Sequence, residues 1–205
     1  MPRMTRYDRE VALERAVALF WARGYTAASM KQIEHALDMR PASLYAAFGS
    51  KDGLFAEALE LYLRNMFSEL DEHLAGYPSL IEGLEDFVRI VGSSAAEDAQ
   101  PPARACMLVK TLLELNDTQT PAQKQINDIF ARIEARFAAI IEDAHARGET
   151  RPDLDCKRMA RLFQAQMMGL RSFAQRQVPS EQVQALAEDI AEFLRYRWRR
   201  PDQSV

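Results

Sequence analysis

Between Ser29 and Lys51 the chain sets short, polar and cationic side chains at spacings that suit contact with a polyanion. Ser29, Ser43 and Tyr45 carry hydroxyl groups, Arg40 a guanidinium and Lys51 an ammonium. Such donors make charge-assisted hydrogen bonds to phosphate, which fix position but carry no sequence information. Pro41, Ala42 and Ala46 lie among them. A helix with side chains this short comes close to a groove wall, where hydrogen bonds and apolar contacts to base edges supply sequence readout.

These groups need elements to aim them, and the same stretch supplies two short helices joined by a turn. Ser29 and Gln32 form an S-x-x-Q capping box at the start of the first, in which the hydroxyl accepts from an orphan amide and the amide side chain reaches back. Met30, Ile33 and Leu37 recur at helical spacing and give that helix one apolar face. Asp38 falls where the chain must turn, and Asp tolerates left-handed backbone better than most residues. Pro41 suits the first position of the second helix because the N–H it lacks would have had no partner there. Leu44, Tyr45 and Phe48 follow as apolar and aromatic contacts, and Lys51 opens a third segment after Gly49-Ser50. The arrangement is that of a helix-turn-helix, whose second helix enters the major groove. An ordinary helical hairpin, with Leu44 and Phe48 as plain core and Lys51 solvated, is the alternative on this pattern alone.

The flanking residues carry a resemblance. YDREVALERAVALFWARGYTAASM and MKQIEHALDMRPASLYAAFGSKDGLF are similar to the first helix, the helix-turn-helix and the entry to the fourth helix of the TetR family of bacterial transcriptional regulators. About the first 60 residues take part. Asp38 stands where the family usually has Gly, and Arg40 where it usually has Ser or Thr. The resemblance implies an all-α chain: a three-helix DNA-binding domain over 1–52, then a helical ligand-binding and dimerisation domain over 53–205. It also implies a homodimeric repressor that a small-molecule inducer releases from a near-palindromic double-stranded operator. The residues expected at the DNA are Ser29, Arg40, Pro41, Ala42, Ser43, Tyr45, Ala46 and Lys51. A helical ligand-binding or scaffold protein with an inactive head is the other function class kept open.

Charge is distributed in keeping with this. The chain carries 26 Lys and Arg against 30 Asp and Glu. Up to Lys51 the counts are eight against five, leaving 18 against 25 for the remainder. A mildly basic head on an acidic body suits local phosphate binding without general stickiness to nucleic acid. Arg3, Arg6 and Arg9 extend the positive edge, or form a solvated tail. Enzyme readings find no footing: His35, His73 and His145 fall in separate helices without metal spacing, and no nucleophile elbow or glycine-rich phosphate loop is present. No cofactor or metal is expected. Cys106 and Cys156 lack ligand spacing and suggest a reducing compartment. Charges interrupt every long apolar stretch and the start has no apolar signal segment, so a cytoplasmic chain with no membrane partner is expected.

Beyond the head, apolar periodicity predicts helices over about 51–74, 79–94, 102–115, 121–147, 155–176 and 180–199, with no convincing strand. The last two helices carry broad apolar faces, and pairing of these faces with a second copy is what the resemblance implies. Phe163, Leu170, Phe173, Leu186, Ile190, Phe193 and Leu194 are the residues expected there. For the inducer, RACMLVKTLLEL is similar to a G-C-L-L-V-N-x-x-x-E stretch found in a subset of the family. Cys106, Met107, Lys110, Phe163 and Met167 are the expected ligand-binding residues. Cys106 and Lys110, four apart, share a helix face, and a nearby ammonium favours the reactive thiolate. Some relatives with cysteine at this place sense electrophiles or oxidants; the plain alternative is a small buried hydrophobe.

Overall fold

The computed structural model describes residues 6–97, 107–115, 120–176 and 178–199. Its helices are α1 (Arg6–Arg23), α2 (Met30–Leu37), α3 (Pro41–Phe48), α4 (Lys51–Ala75), α5 (Leu80–Glu97), α6 (Met107–Glu114), α7 (Pro121–Ala146), α8 (Cys156–Ala174) and α9 (Ser180–Trp198). The fold is all-α, in keeping with the periodicity. Among the described residues, extended pairing is limited to an isolated antiparallel bridge between Thr150 and Arg199.

Two compact units divide the chain, and neither ends at residue 52. The first comprises Met1–Phe67 with Cys106–Asp128, the second Ser68–Ala105 with Ile129–Val205. The head extends past 52 because the start of α4 is core: Leu54, Phe55, Ala58, Leu59, Leu61 and Leu63 are all buried. Phe55 meets Phe20 of α1 edge to face, ring centroids 4.9 Å apart, a geometry that aromatic pairs favour beyond the area they bury. The apolar line of α1 runs through Ala12, Ala16 and Phe20. Leu13 and Val17, which periodicity pairs with Phe20, are only half-buried. Alanine on the inner face lets α1 sit close to its neighbours, and the larger aliphatics flank that contact. Gly24 ends α1 with φ +81° and its N–H bonded to the Phe20 carbonyl at 2.8 Å.

In the second unit α5 lies against both α8 and α9, and α8 against α9. The α5–α9 crossing is close: a Cβ on Gly92 would fall 2.4 Å from the Cβ of Ala187. Trp198, fully buried at the end of α9, packs on Phe163 of α8 (5.9 Å), which in turn meets Phe137 of α7 edge to face (4.8 Å). The Trp198 carbonyl accepts from the Arg151 N–H at 2.9 Å, so the α7–α8 connection is tied to the end of α9. Asp155 caps α8 through Oδ1, which accepts from the Arg158 N–H at 3.0 Å. Glu85 of α5 is buried, and its Oε2 accepts from Arg195 Nε at 3.1 Å. Because Gly92 and Ala187 leave no room, Gly92→Val should force α5 from α9 and cost about 1–3 kcal/mol, the usual range for overpacking. Thermal unfolding of the full-length protein reads this as a lowered Tm.

Candidate nucleic-acid interface

The capping box forms at the start of α2: Ser29 Oγ accepts from the Gln32 N–H at 3.3 Å, and Gln32 Oε1 accepts from the Ser29 N–H at 2.9 Å. Ile33 and Leu37 bury the inner face of α2. At its end Asp38 adopts φ 52°, ψ 45°, the left-handed conformation the turn requires. Asp in place of Gly therefore leaves the turn intact. Arg15 of α1 donates to the Leu37 carbonyl at 3.3 Å, satisfying one of the last carbonyls of α2.

α3 then runs for eight residues from Pro41. Leu44 and Phe48 are its buried positions, while Pro41, Ala42, Tyr45 and Ala46 are exposed and Ser43 half-exposed. The exposed residues make one strip of small side chains around Tyr45, whose ring is 49% exposed. Tyr45 occupies the middle of the strip. Arg40, at the N-cap of α3, is exposed and makes no capping hydrogen bond with its side chain. Ser29, at the head of α2, is exposed too.

Lys51 stands at the first position of α4, beyond Gly49 at φ +74°. Its Nζ lies 4.5 Å from the centre of the Tyr25 ring, a cation–π contact. The Tyr25 hydroxyl donates to the Asp52 carboxylate. Burial pushes the Tyr25 phenol up to about 12, with the hydrogen bond to Asp52 and its negative charge adding to the effect. Burial lowers the Lys51 pKa, opposed by the charges of Asp52 and Glu114. Packed on the Tyr25 ring and close to the charges of Asp52 and Glu114, Lys51 is held in place.

Several contacts escaped the sequence reading. Arg9, read there as part of a positive edge, is bonded inside the head to Ala47 and Glu57. Arg3 lies outside the described residues. Lys110 of α6, expected at a ligand, donates to the Trp21 carbonyl at 3.2 Å. Glu114 at the end of α6 accepts from the Thr26 N–H at 3.2 Å, and its Oε1 fills the space that a Cβ on Gly24 would take. These partners are 38 to 89 residues apart, so no local spacing announces them. Of the other expected ligand residues, Cys106 lies outside the described residues, and Met107, Phe163 and Met167 are buried. Met107 and Lys110 belong to the first compact unit, Phe163 and Met167 to the second. Cys156 is half-buried, and burial with the charge of Glu142 pushes its thiol up, away from the reactive thiolate. Among the described residues no group of His, Cys, Asp and Glu is arranged to hold a metal ion.

Of the residues expected to pair with a second copy, Phe163, Leu170, Ile190 and Leu194 are buried within the chain itself. Their apolar area is already withdrawn from water. Phe173, Leu186 and Phe193 remain half-exposed, beside Leu162 on α8 and Tyr196, 72% exposed, on α9.

Two family models match the chain: "Bacterial regulatory proteins, tetR family" over residues 12–58 and "Tetracyclin repressor-like, C-terminal domain" over residues 82–190. The HTH-type transcriptional repressor ComR of Escherichia coli strain K12 is 24% identical over 182 residues, 88% of this chain and 86% of the relative. A structure of a cysteine mutant of the TetR family transcriptional regulator CifR, complexed with 26bp double-strand operator DNA, is 32% identical. It superimposes with a TM-score of 0.78 over 94% of this chain and 98% of that one. A TetR transcriptional regulator from Chloroflexus aurantiacus shares the fold, with a TM-score of 0.81 at 22% identity over 96% of this chain and 100% of that one.

The raised Tyr25 pKa sets a pH dependence. Above about pH 10 the unfolded chain releases the phenol proton while the folded head retains it. The unfolded state then binds fewer protons, so stability falls as pH rises from about 10 towards 12. Tyr25→Phe should flatten part of that decline in denaturant titrations run across this range.

Proposed function

The chain belongs to the TetR family of bacterial regulatory proteins, and from that premise we propose that it reads a near-palindromic operator as a homodimeric repressor. The observation that carries this is α3. Leu44 and Phe48 are buried, so Ala42, Tyr45 and Ala46 face outward on a strip with almost no bulk apart from one aromatic ring. In a major groove, the alanines allow the backbone close, and Tyr45 offers a ring to a thymine methyl and a hydroxyl to a base edge or phosphate. Ser29, Arg40 and Lys51 border the strip at the start of α2, α3 and α4 and fix the register on phosphates. Pro41 and Ser43 complete the contact at the N-terminal turn of α3.

Half-sites on DNA call for two heads. The half-exposed Leu162 and Phe173 of α8 and Leu186 and Phe193 of α9, with the exposed Tyr196, supply the surface for pairing with a second copy. Two-fold pairing sets two α3 helices against successive major grooves, about 34–36 Å apart. A small-molecule inducer that binds the helical body releases the operator only by binding the DNA-free state more tightly than the DNA-bound one. Such a regulator works in the cytoplasm beside its DNA. No helix among the described residues is long and apolar enough to cross a membrane.

On a duplex selected by the wild-type protein, Lys51→Ala should weaken binding to every sequence alike and reduce the salt slope by about one. Tyr45→Ala should cost about 1–3 kcal/mol more at the selected site than on random DNA, the scale of a lost base contact. Unchanged affinities in both variants, measured by fluorescence anisotropy over a salt series, would overturn the proposed contacts.

A further inference from the structure

α3 is eight residues long and has no side-chain cap at its start. A helix this short does not hold its own shape or direction in water. Its aim must come from what grips it. Among the last carbonyls of α3, that of Tyr45 accepts from the Gly49 N–H at 2.9 Å and that of Phe48 from the Ser50 N–H at 2.8 Å. The Ala47 carbonyl has a different partner, Arg9 Nη1 from α1, at 2.8 Å.

The same guanidinium does two more things. Nη2 donates to both carboxylate oxygens of Glu57 on α4, at 2.5 and 2.6 Å. Its Cζ lies over the Phe48 ring, 4.5 Å from the ring centre. One side chain therefore joins α1, the end of α3 and α4. It touches α3 at a carbonyl and at the side chain that anchors its last turn, one turn from Tyr45. The cation also stands at the negative end of the α3 dipole, where it is favoured. Sequence reading assigns Arg9 to a positive edge for phosphates, but both its Nη atoms are bonded within the head and the group lies over Phe48.

We propose that Arg9 is a positioning residue for operator reading: held by Glu57, it fixes the pitch of α3 through Ala47 and Phe48 and makes no DNA contact. This rests on the DNA-reading function above. Base readout through directed hydrogen bonds is sensitive to the placement of α3, whereas attraction to phosphate is not. Loosening Arg9 therefore lowers discrimination between sequences and leaves general DNA affinity in place. Lysine does not replace it, since a single ammonium lacks the planar fork that meets a carboxylate, a carbonyl and a ring together.

The test uses full-length Arg9→Gln, Arg9→Lys and Glu57→Gln, each checked for wild-type helicity at the assay temperature. Affinities are measured for the selected duplex and for a random duplex across a salt series. Arg9→Gln is expected to lower the ratio of the two affinities by about tenfold, comparable to losing one base contact, with random-duplex affinity and salt slope unchanged. Arg9→Lys should behave like Arg9→Gln despite its retained charge. Glu57→Gln is the sharpest arm. Removing an acid tightens DNA binding if charge alone matters, but should weaken operator binding if Glu57 acts by holding Arg9. A salt slope reduced by about one in Arg9→Gln, with equal loss on both duplexes and recovery in Arg9→Lys, would overturn the proposal in favour of a phosphate contact. An unchanged affinity ratio in Arg9→Gln and Glu57→Gln would overturn it in favour of a bystander pair. Lack of any sequence preference in the wild-type protein would instead remove the DNA-reading function on which it depends.

Discussion

Burial of Leu44 and Phe48 is the interaction on which the reading head depends. Eight residues do not make a stable helix alone, and burying two large apolar side chains stabilises α3 by about 1.5–3 kcal/mol each. The same burial decides direction. Once Leu44 and Phe48 point inward, helical geometry places Ala42, Tyr45 and Ala46 outward, and the turn at Asp38 fixes where the helix begins. The rest of the head serves that placement. The Phe20–Phe55 contact joins α1 to α4, Arg15 closes the end of α2, and Tyr25 with Asp52 steadies Lys51.

The second unit solves a different problem, that of packing helices as neighbours with little bulk between some of them. Gly92 against Ala187 lets α5 and α9 approach at one point, while the Phe137–Phe163–Trp198 series fills the space where α7, α8 and α9 meet. Glu85 is 2% exposed, and its Oε1 has no hydrogen-bond partner. Such a charge is costly to bury, and Arg195 with Arg199 beside it offsets part of that cost. Through Glu85 the two arginines tie the end of α9 to α5.

Much of the head was legible from residue types because its signals are local. Ser29 and Gln32 are three residues apart and cap α2 as read; Pro41 opens α3; Asp38 takes the left-handed turn. What was not legible depends on partners distant in the chain. Periodicity tells which face of a helix is apolar but not what covers it: of the α1 residues Leu13, Ala16, Val17 and Phe20, which recur at helical spacing, only Ala16 and Phe20 are buried. For the same reason Phe163, Leu170, Ile190 and Leu194 read as surface for a second copy, although the chain's own helices cover them. Arg9 reads as part of a positive edge or a solvated tail, and Lys110 as a ligand-facing charge. Their bonds, to the Ala47 and Trp21 carbonyls, join helices far apart in sequence, and only the folded head brings them together.

The function proposed for this head is the reading of a DNA sequence. The measurement that bears on it most directly is selection of genomic fragments by the purified full-length protein at moderate salt, followed by sequencing of what is retained. The expected result is enrichment of one short near-palindrome, with two half-sites about one helical turn apart. Retention of fragments without any shared sequence, by a protein that remains folded, would contradict it.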